Sequence, residues 1–257
     1  MCEIFGFSGN RPADLRPMLT EFFSHSPRNP DGWGLAAFDE GQTFVYKEKF
    51  PAYKSANLER IVRDAGRSKN LIAHIRLATI GVDEYENSHP FSGYDKSGRL
   101  WTLAHNGTIF ESDELGIYSY RQKGNTDSER VFLYILDEVN RRTSELGHSL
   151  NALERFELID EITVRLSPQN KLNLIIYDGE ITYLHTNYKD SLYVRKLDEG
   201  SVFATVPLNG GTWDHLPFTR LVSYRNGAPF LAGTDHGNEY IPDEHSIRAL
   251  YMAYAGL

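Results

Sequence analysis

The only cysteine of this chain stands at position 2, in the opening stretch MCEIFGFSG. A lone thiol cannot form a disulfide within the chain. Chain ends are usually poorly ordered unless a sheet incorporates them. Residues 2–7, however, have the apolar content of a β-strand, and Ser8 and Gly9 follow as its predicted end. The sequence therefore predicts that Cys2 is held in the fold, for a reason that lies further along the chain.

Four polar segments in the first half of the chain end or follow predicted elements, and each contains residue types that catalysis uses. They are AHIRLATIG (73–81), NSHPF (87–91), AHNGTI (104–109) and GNTDSE (124–129). Taken one at a time, none of these segments indicates a particular chemistry, because each has an ordinary structural interpretation.

The structural interpretations are as follows. Arg76 would be half of a surface ion pair, and Asn106-Gly107 would be a hairpin turn. Asp127 would complement the dipole at the start of a helix. Histidines in these segments would be buried in the core or in turns, and they are His74, His89 and His105.

Taken together with the amino terminus, these segments form a recognisable pattern. MCEIFG, DGWG, AHIRLAT, NSHPF, AHNG and TDSE follow one another with loop-sized gaps. The pattern resembles the class II glutamine amidotransferase domain of the N-terminal nucleophile hydrolases, and most closely its stand-alone YafJ-like branch. The stretch VFATVPLNGGTWDHLP (202–217) extends the resemblance to nearly the whole chain. The resemblance implies an α+β fold, a four-layer αββα sandwich of two antiparallel sheets, in a single domain over residues 1–257.

The resemblance also explains the position of the cysteine. It implies that Met1 is removed, so that Cys2 becomes the first residue and the nucleophile. A free thiol has a pKa near 8.5, whereas an α-amino group has a pKa of about 7.7–8.0. The α-amino group of Cys2 would therefore act as the general base for its own thiol, directly or through one water molecule.

Matching the other motifs implies the remaining roles. The side-chain amide of Asn106 and the backbone N–H of Gly107 would form the oxyanion hole. Arg76 would bind the substrate α-carboxylate, which suits a planar two-pronged donor. Asp127 would accept hydrogen bonds from the substrate α-ammonium group.

Two further residues, Thr79 and His89, match positions close to the substrate pocket. His74 and His105 are expected to have supporting structural roles. Relatives that pass ammonia to a fused synthase often have tryptophan after the motif arginine, whereas this chain has Leu77. No phosphate loop or sugar-phosphate module is recognisable, so the resemblance implies that any acceptor enzyme for ammonia is a separate chain.

The expected reaction is hydrolysis of the γ-amide of glutamine or of a γ-glutamyl compound, which gives glutamate and ammonia or an amine. No cofactor and no metal are expected, the partner is a small γ-glutamyl molecule, and a homo-oligomer is left open. One alternative is a catalytically silent protein that binds a γ-glutamyl ligand or a partner enzyme. Another is a metal-dependent hydrolase, although the spacings of 15 and 16 residues between its candidate ligands match no local zinc signature. Those candidates are His74, His89, His105 and Asp127.

Composition excludes other classes. A net charge of −8 argues against a basic surface for nucleic acid or an anionic membrane. No apolar run approaches the roughly 18 residues of a membrane span. A lone cysteine and the lack of a signal-peptide pattern lead us to expect a cytoplasmic protein.

Hydrophobic periodicity predicts the elements that position these motifs. Helices are expected over 15–23, 58–65, 127–139 and 153–166, the last with Leu153 on its buried face. A capping box is predicted at TDSE, with Thr126 as N-cap and Glu129 reaching back to it. Hairpin turns are predicted at 39–42 and at Asn226-Gly227.

Overall fold

The computed structural model describes residues 2–39, 41–79, 81, 84–110 and 112–242, and in these residues two antiparallel sheets form the centre of the fold. In spatial order the first sheet contains β11 (Asp214–His215), β9 (Tyr193–Lys196), β10 (Gly200–Ala204), β1 (Glu3–Asp14), β4 (Arg67–Ile75), β2 (Trp33–Asp39) and β3 (Gln42–Glu48). The second sheet contains β13 (Ala228–Ala232), β12 (Val222–Arg225), β8 (Ile181–His185), β7 (Lys171–Tyr177), β6 (Leu100–Thr108) and β5 (Phe91–Tyr94).

Helices cover the outer face of each sheet. Helices α1 (Arg16–Ser24) and α2 (Leu58–Ala65) share a buried apolar cluster with the first sheet. Helices α3 (Asp127–Leu146) and α4 (Ala152–Leu166) do the same with the second sheet. A third cluster lies between the sheets. The predicted four-layer αββα sandwich is therefore confirmed.

Strand alternation decides which side chains enter the space between the sheets. Successive residues of a strand point to opposite faces, so every second residue shares a face. The inter-sheet cluster takes Ile4 from β1, Ile72 from β4, Ala104 from β6 and Ile175 from β7. Strands β1 and β4 are neighbours in the first sheet, and β6 and β7 are neighbours in the second. The same four strands position the candidate site.

Strand β1 is longer than the sequence indicated. It continues to Asp14, past the predicted end at Ser8 and Gly9, with a register shift between Ser8 and Ala13. The shift lets the strand keep its pairing with β4 on both sides of the irregularity.

The start of α3 differs from the predicted capping box. The Thr126 hydroxyl accepts a hydrogen bond from the Glu129 N–H (3.2 Å), as predicted for an N-cap. The Glu129 carboxylate, however, accepts hydrogen bonds from the N–H groups of Lys123 and Gly124, both at 2.8 Å. The loop before the helix offers these two N–H groups, so Glu129 fixes that loop instead of closing the box.

A complete capping box is found at α4, between Asn151 and Glu154. Leu153, which was predicted on the buried face of this helix, is 51% exposed. It lies in the first turn, where Arg155 points inward instead and is buried. The prediction for Leu153 was therefore wrong.

The turn at Asn226-Gly227 is confirmed, since it connects β12 to β13 with positive φ at both residues. Strands β2 and β3 pair as predicted, although their turn contains Glu40, outside the described residues. The predicted single domain includes residues 243–257, which also lie outside the described part. None of the helices described is long and apolar enough to cross a bilayer.

Candidate active site

Three motif side chains meet at one end of the space between the sheets. Cys2 directly precedes β1, Arg76 directly follows β4, and Asn106 lies near the end of β6. Because β1 and β4 are antiparallel, the start of one lies beside the end of the other. Each of the three residues is an even number of positions from a residue that packs between the sheets, namely Ile4, Ile72 and Ala104. Side chains two or four positions apart along a strand share a face, so these three are on the inter-sheet side.

The Cys2 thiol contacts the backbone that follows the motif arginine. Its Sγ donates to the Leu77 carbonyl and accepts from the Leu77 N–H, both at 3.2 Å, and the residue is half-buried. Burial raises the pKa of the Cys2 thiol, while the Leu77 N–H and the charges of Arg76 and Lys171 act in the opposite direction. The thiol therefore needs a proton acceptor before it can attack. The predicted acceptor depends on the removal of Met1, which lies outside the described residues.

Arg76 is 2% exposed, so its interpretation as a surface ion pair was wrong. Its Nη1 donates to the Asp31 carbonyl (3.2 Å), and its Nη2 donates to the Gly81 carbonyl (2.9 Å). The Asp31 carboxylate in turn accepts from the Ala78 N–H at 2.7 Å. Asp31 belongs to the DGWG motif, and sequence analysis assigned it no role. It fixes the segment that carries both Arg76 and the contact with Cys2.

Asn106 and Gly107 are part of β6 and pair with Asn173 and Leu172 of β7, so they do not form a hairpin turn. Asn106 is buried. A Cβ atom at position 107 would collide with the Lys171 carbonyl and with the His105 ring. Close approach of these two groups explains why glycine is needed at that position.

Asp127 is buried in the first turn of α3, where its Oδ2 accepts from the Ile109 N–H at 2.7 Å. The ring of His105 links this helix to the sheet, with Nδ1 2.9 Å from the Ser128 Oγ and Nε2 3.2 Å from the Lys171 carbonyl oxygen. Burial lowers the pKa of His105, so a neutral ring makes these contacts near neutral pH. The position of Asp127 thus depends on β6 and β7.

Two motif loops are joined by a pair of hydrogen bonds. The Asn87 side chain donates to the Asn125 side chain (2.7 Å) and accepts from the Asn125 N–H (2.9 Å). These contacts bring the NSHPF and GNTDSE segments together beside Gly81, which follows Arg76 in the chain. All six motifs are therefore connected by direct contacts or lie on neighbouring strands.

The two weaker site predictions occupy different surroundings. The Thr79 hydroxyl lies 3.4 Å from that of Thr108, at the end of β6. The His89 ring packs between His74, with ring centroids 4.2 Å apart, and Phe91, at 4.7 Å. Both remain predictions as substrate contacts.

The His74 and His89 rings are buried, and their ring nitrogens have no hydrogen-bond partner in the described part of the chain. Burial lowers the pKa of His74 to about 3 and that of His89 well below its usual value. No group of three or more His, Cys, Asp or Glu residues within the described ranges could hold a metal ion. The geometry thus gives the metal-hydrolase alternative no ligand set there.

Sequence analysis missed Lys171, the first residue of β7. It is buried, and its alternation parity places it with Asn173 and Ile175 on the inter-sheet side. Its Nζ lies 4.7 Å from the centroid of the Tyr188 ring. Burial lowers the pKa of Lys171 to about 8. The sequence KLNLIIY could have indicated this position, because the lysine shares a strand face with Ile175 and Tyr177, which pack between the sheets.

A half-buried cysteine directly before the first strand, between two antiparallel sheets covered by helices, matches the arrangement of the N-terminal nucleophile hydrolases. Over most of the chain, residues 1–197 match the family model described as class II glutamine amidotransferases. The protein belongs to this family.

Similar proteins support the assignment. A putative glutamine amidotransferase, YafJ, of Escherichia coli K12 is 30% identical over 193 residues, which cover 73% of this chain and 74% of that protein. The γ-glutamyl-hercynylcysteine sulfoxide hydrolase of Mycolicibacterium smegmatis is 28% identical over 211 residues, 79% of this chain and 81% of that protein. The solved structure of a predicted glutamine amidotransferase from Pseudomonas aeruginosa PA01 has a similar fold. Its TM-score is 0.63 at 20% identity, with 90% of this chain and all of that chain covered.

Proposed function

We propose that this protein hydrolyses the γ-amide of glutamine or of a γ-glutamyl compound through a thioester on Cys2. One observation carries the proposal: the lone thiol, a buried guanidinium and a buried carboxamide lie at the same end of the inter-sheet space. They belong to Cys2, Arg76 and Asn106. Nothing in the packing of a core requires these three groups together, whereas acyl transfer from a charged substrate does.

The first half of the reaction forms the thioester. The α-amino group of Cys2, free once Met1 is removed, takes the thiol proton, and Sγ attacks the γ-carbonyl carbon of the substrate. The carbon–nitrogen bond breaks, and the amine leaves with the proton that the α-amino group returns. Water then attacks the thioester in the same way, which releases glutamate and regenerates the thiol.

The surrounding groups stabilise and orient the substrate. The Asn106 amide and the Gly107 N–H donate to the oxyanion that develops on the γ-carbonyl oxygen. Arg76 donates to the α-carboxylate, and Asp127 accepts from the α-ammonium group. Recognition of both charges makes the site selective for a γ-linked glutamyl group whose α-carboxylate and α-ammonium groups are both free.

The proposal is tested by the release of glutamate from L-glutamine and from a γ-glutamyl anilide. Cys2→Ala is expected to reduce both rates to background, because no other group forms the thioester. Arg76→Lys is expected to raise KM more than it lowers kcat, since lysine cannot bind the carboxylate with two parallel donors. Activity that survives in Cys2→Ala would rule out the mechanism. Ligand binding without turnover in the wild type would favour the catalytically silent alternative.

A further inference from the structure

The candidate site has two flanks, defined by the order of strands. In the first sheet β1 lies between β4 and β10, and in the second sheet β6 lies between β5 and β7. Arg76 follows β4, and α3, which begins with Asp127, packs on β5 and β6. The groups that bind the glutamyl head in the proposed function are thus all on the β4 and β5 side of Cys2. The β7 and β10 side is left for another part of the substrate.

The shape of a γ-glutamyl amide determines which part that is. Two methylene groups separate its charged α-carbon from the γ-carbonyl, and the amide nitrogen follows on the far side of that carbonyl. If the head binds at Arg76 and the carbonyl lies at Cys2, the nitrogen and its substituent extend away from the head. They therefore extend onto the β7 and β10 flank.

A buried cation occupies this flank. Lys171 opens β7 with its side chain on the inter-sheet side, and its charge acts on the Cys2 thiol. The Lys171 Nζ lies 4.7 Å from the centroid of the Tyr188 ring. A cation in this place suits a substrate with a negative charge close to the amide nitrogen.

Beside Tyr188 lies a cavity of about 350 Å³. Its lining comes from the connection between β8 and β9, from the segment 215–218 and from Glu239. Because β8 is antiparallel to β7, the β8–β9 connection lies at the end where β7 begins. Apolar and polar groups both line it, among them Tyr188, Ser191, Leu192, His215 and Phe218. Cavities of roughly 300 Å³ and above are of the size that binds small organic ligands. Ammonia as a leaving group would need no such space, whereas an amino acid would fill part of it.

Carboxylates at the rim of the cavity do not remove the preference for an anion. Asp190 is paired with His215 (3.3 Å), and both side chains are more than half exposed. Glu239 is exposed as well. Water screens these rim charges, whereas the ammonium of Lys171 is buried next to the reacting atoms.

We propose that Lys171, Tyr188 and the adjoining cavity form a subsite for the leaving amine, in which the Lys171 ammonium binds a carboxylate carried by that amine. The substrate class is then γ-glutamyl amino acids and short γ-glutamyl peptides, with glutamine a poorer substrate. Cleavage uses the steps of the proposed function, on which this inference rests. Water and the γ-glutamyl amino acid give glutamate and the free amino acid, with no oxidant or further reactant.

Two substrates that differ in one group test the subsite, namely γ-L-glutamylglycine and γ-L-glutamylglycinamide. The wild type is expected to have a kcat/KM at least about tenfold higher for the carboxylate than for the carboxamide, as a hydrogen bond to a charged group would give. Lys171→Met is expected to bring the ratio close to one. Lys47→Met is the matched control, because Lys47 is also a lysine whose pKa burial lowers to about 8, packed on the rings of Tyr85 and Phe91 in the region of β3. It should leave the ratio unchanged.

Three results would overturn the subsite. One is a wild-type ratio near one, which needs no variant to interpret. Another is an equal loss on both substrates in Lys171→Met, which would mean that the lysine acts only through Cys2. The last is an absence of turnover of both dipeptides by a protein that still forms an adduct on Cys2 with diazo-oxo-norleucine, a glutamine analogue without a leaving amine. If the adduct fails to form as well, the proposed function itself is contradicted.

Discussion

The two ends of β7 both carry charge, yet they differ in how that charge is held. At the far end, Asp178 is fully buried and each of its carboxylate oxygens has two donors. Those donors are Arg155 Nε, the Tyr183 hydroxyl and the N–H groups of Glu180 and Ile181. At the near end, Lys171 and Cys2 have pKa values that burial shifts away from their usual range.

The far end is therefore a closed network, in which Arg155 also binds Glu180 at 2.6 Å and Glu180 binds Arg225 at 2.5 Å. Such an arrangement fixes the turn between β7 and β8. The near end instead keeps ionisable groups in surroundings that disfavour their charged forms, a common property of sites that bind or transform a ligand. One strand thus connects a structural end to the end where the proposed reaction takes place, called here the reactive end.

The largest expected effect tests the structural end. Arg155→Met should lower the free energy of unfolding by about 3–5 kcal/mol, since it removes the closer cation of the buried Asp178 carboxylate and leaves only Arg99, at 3.9 Å. Arg225→Met is the control, because the Arg225 side chain is 43% exposed and its loss should cost less than about 1 kcal/mol. Urea unfolding of the three proteins measures both values. An Arg155 variant as stable as the wild type would show that the network is not what holds this end.

The next effect tests the reactive end. Asn106→Ala should lower kcat by about 10²–10³, equivalent to roughly 2.7–4 kcal/mol, through loss of an oxyanion donor. Single-turnover hydrolysis of a γ-glutamyl anilide measures the chemical step. The unfolding free energy serves as the control, and a kcat that falls only in proportion to lost folded protein would place Asn106 among structural residues.

The smallest effect concerns pH. Burial lowers the pKa of His74 to about 3, whereas an unfolded histidine titrates near 6.5. Below pH 6.5 the unfolded chain binds a proton that the folded chain does not, so stability falls as the pH falls towards 3. His74→Leu should therefore reduce the slope of unfolding free energy against pH, between 6 and 4, by about 1.4 kcal/mol per pH unit. An unchanged slope would mean that His74 is protonated in the fold.

Local patterns predicted much of the fold, and they identified the residues to which the proposed function assigns the glutamyl head. Motifs at strand ends are visible because a polar residue interrupts an apolar run, as at Arg76 and Asn106. Lys171 escaped because a lysine at the start of a strand is usually solvated, and only the pairing of β7 with β6 places it next to the site. The errors at Leu153 and Glu129 have a related cause, since contacts with other segments decided their orientation.

The most direct test of the central claim, that Cys2 is a nucleophile beside a glutamyl-binding site, is the intact mass of the protein before and after exposure to diazo-oxo-norleucine. The account predicts a chain without Met1, one adduct per chain, and a modified peptide that contains Cys2. It also predicts that L-glutamate protects against the modification. A chain without Met1 that remains unmodified, or an adduct elsewhere, would contradict the account.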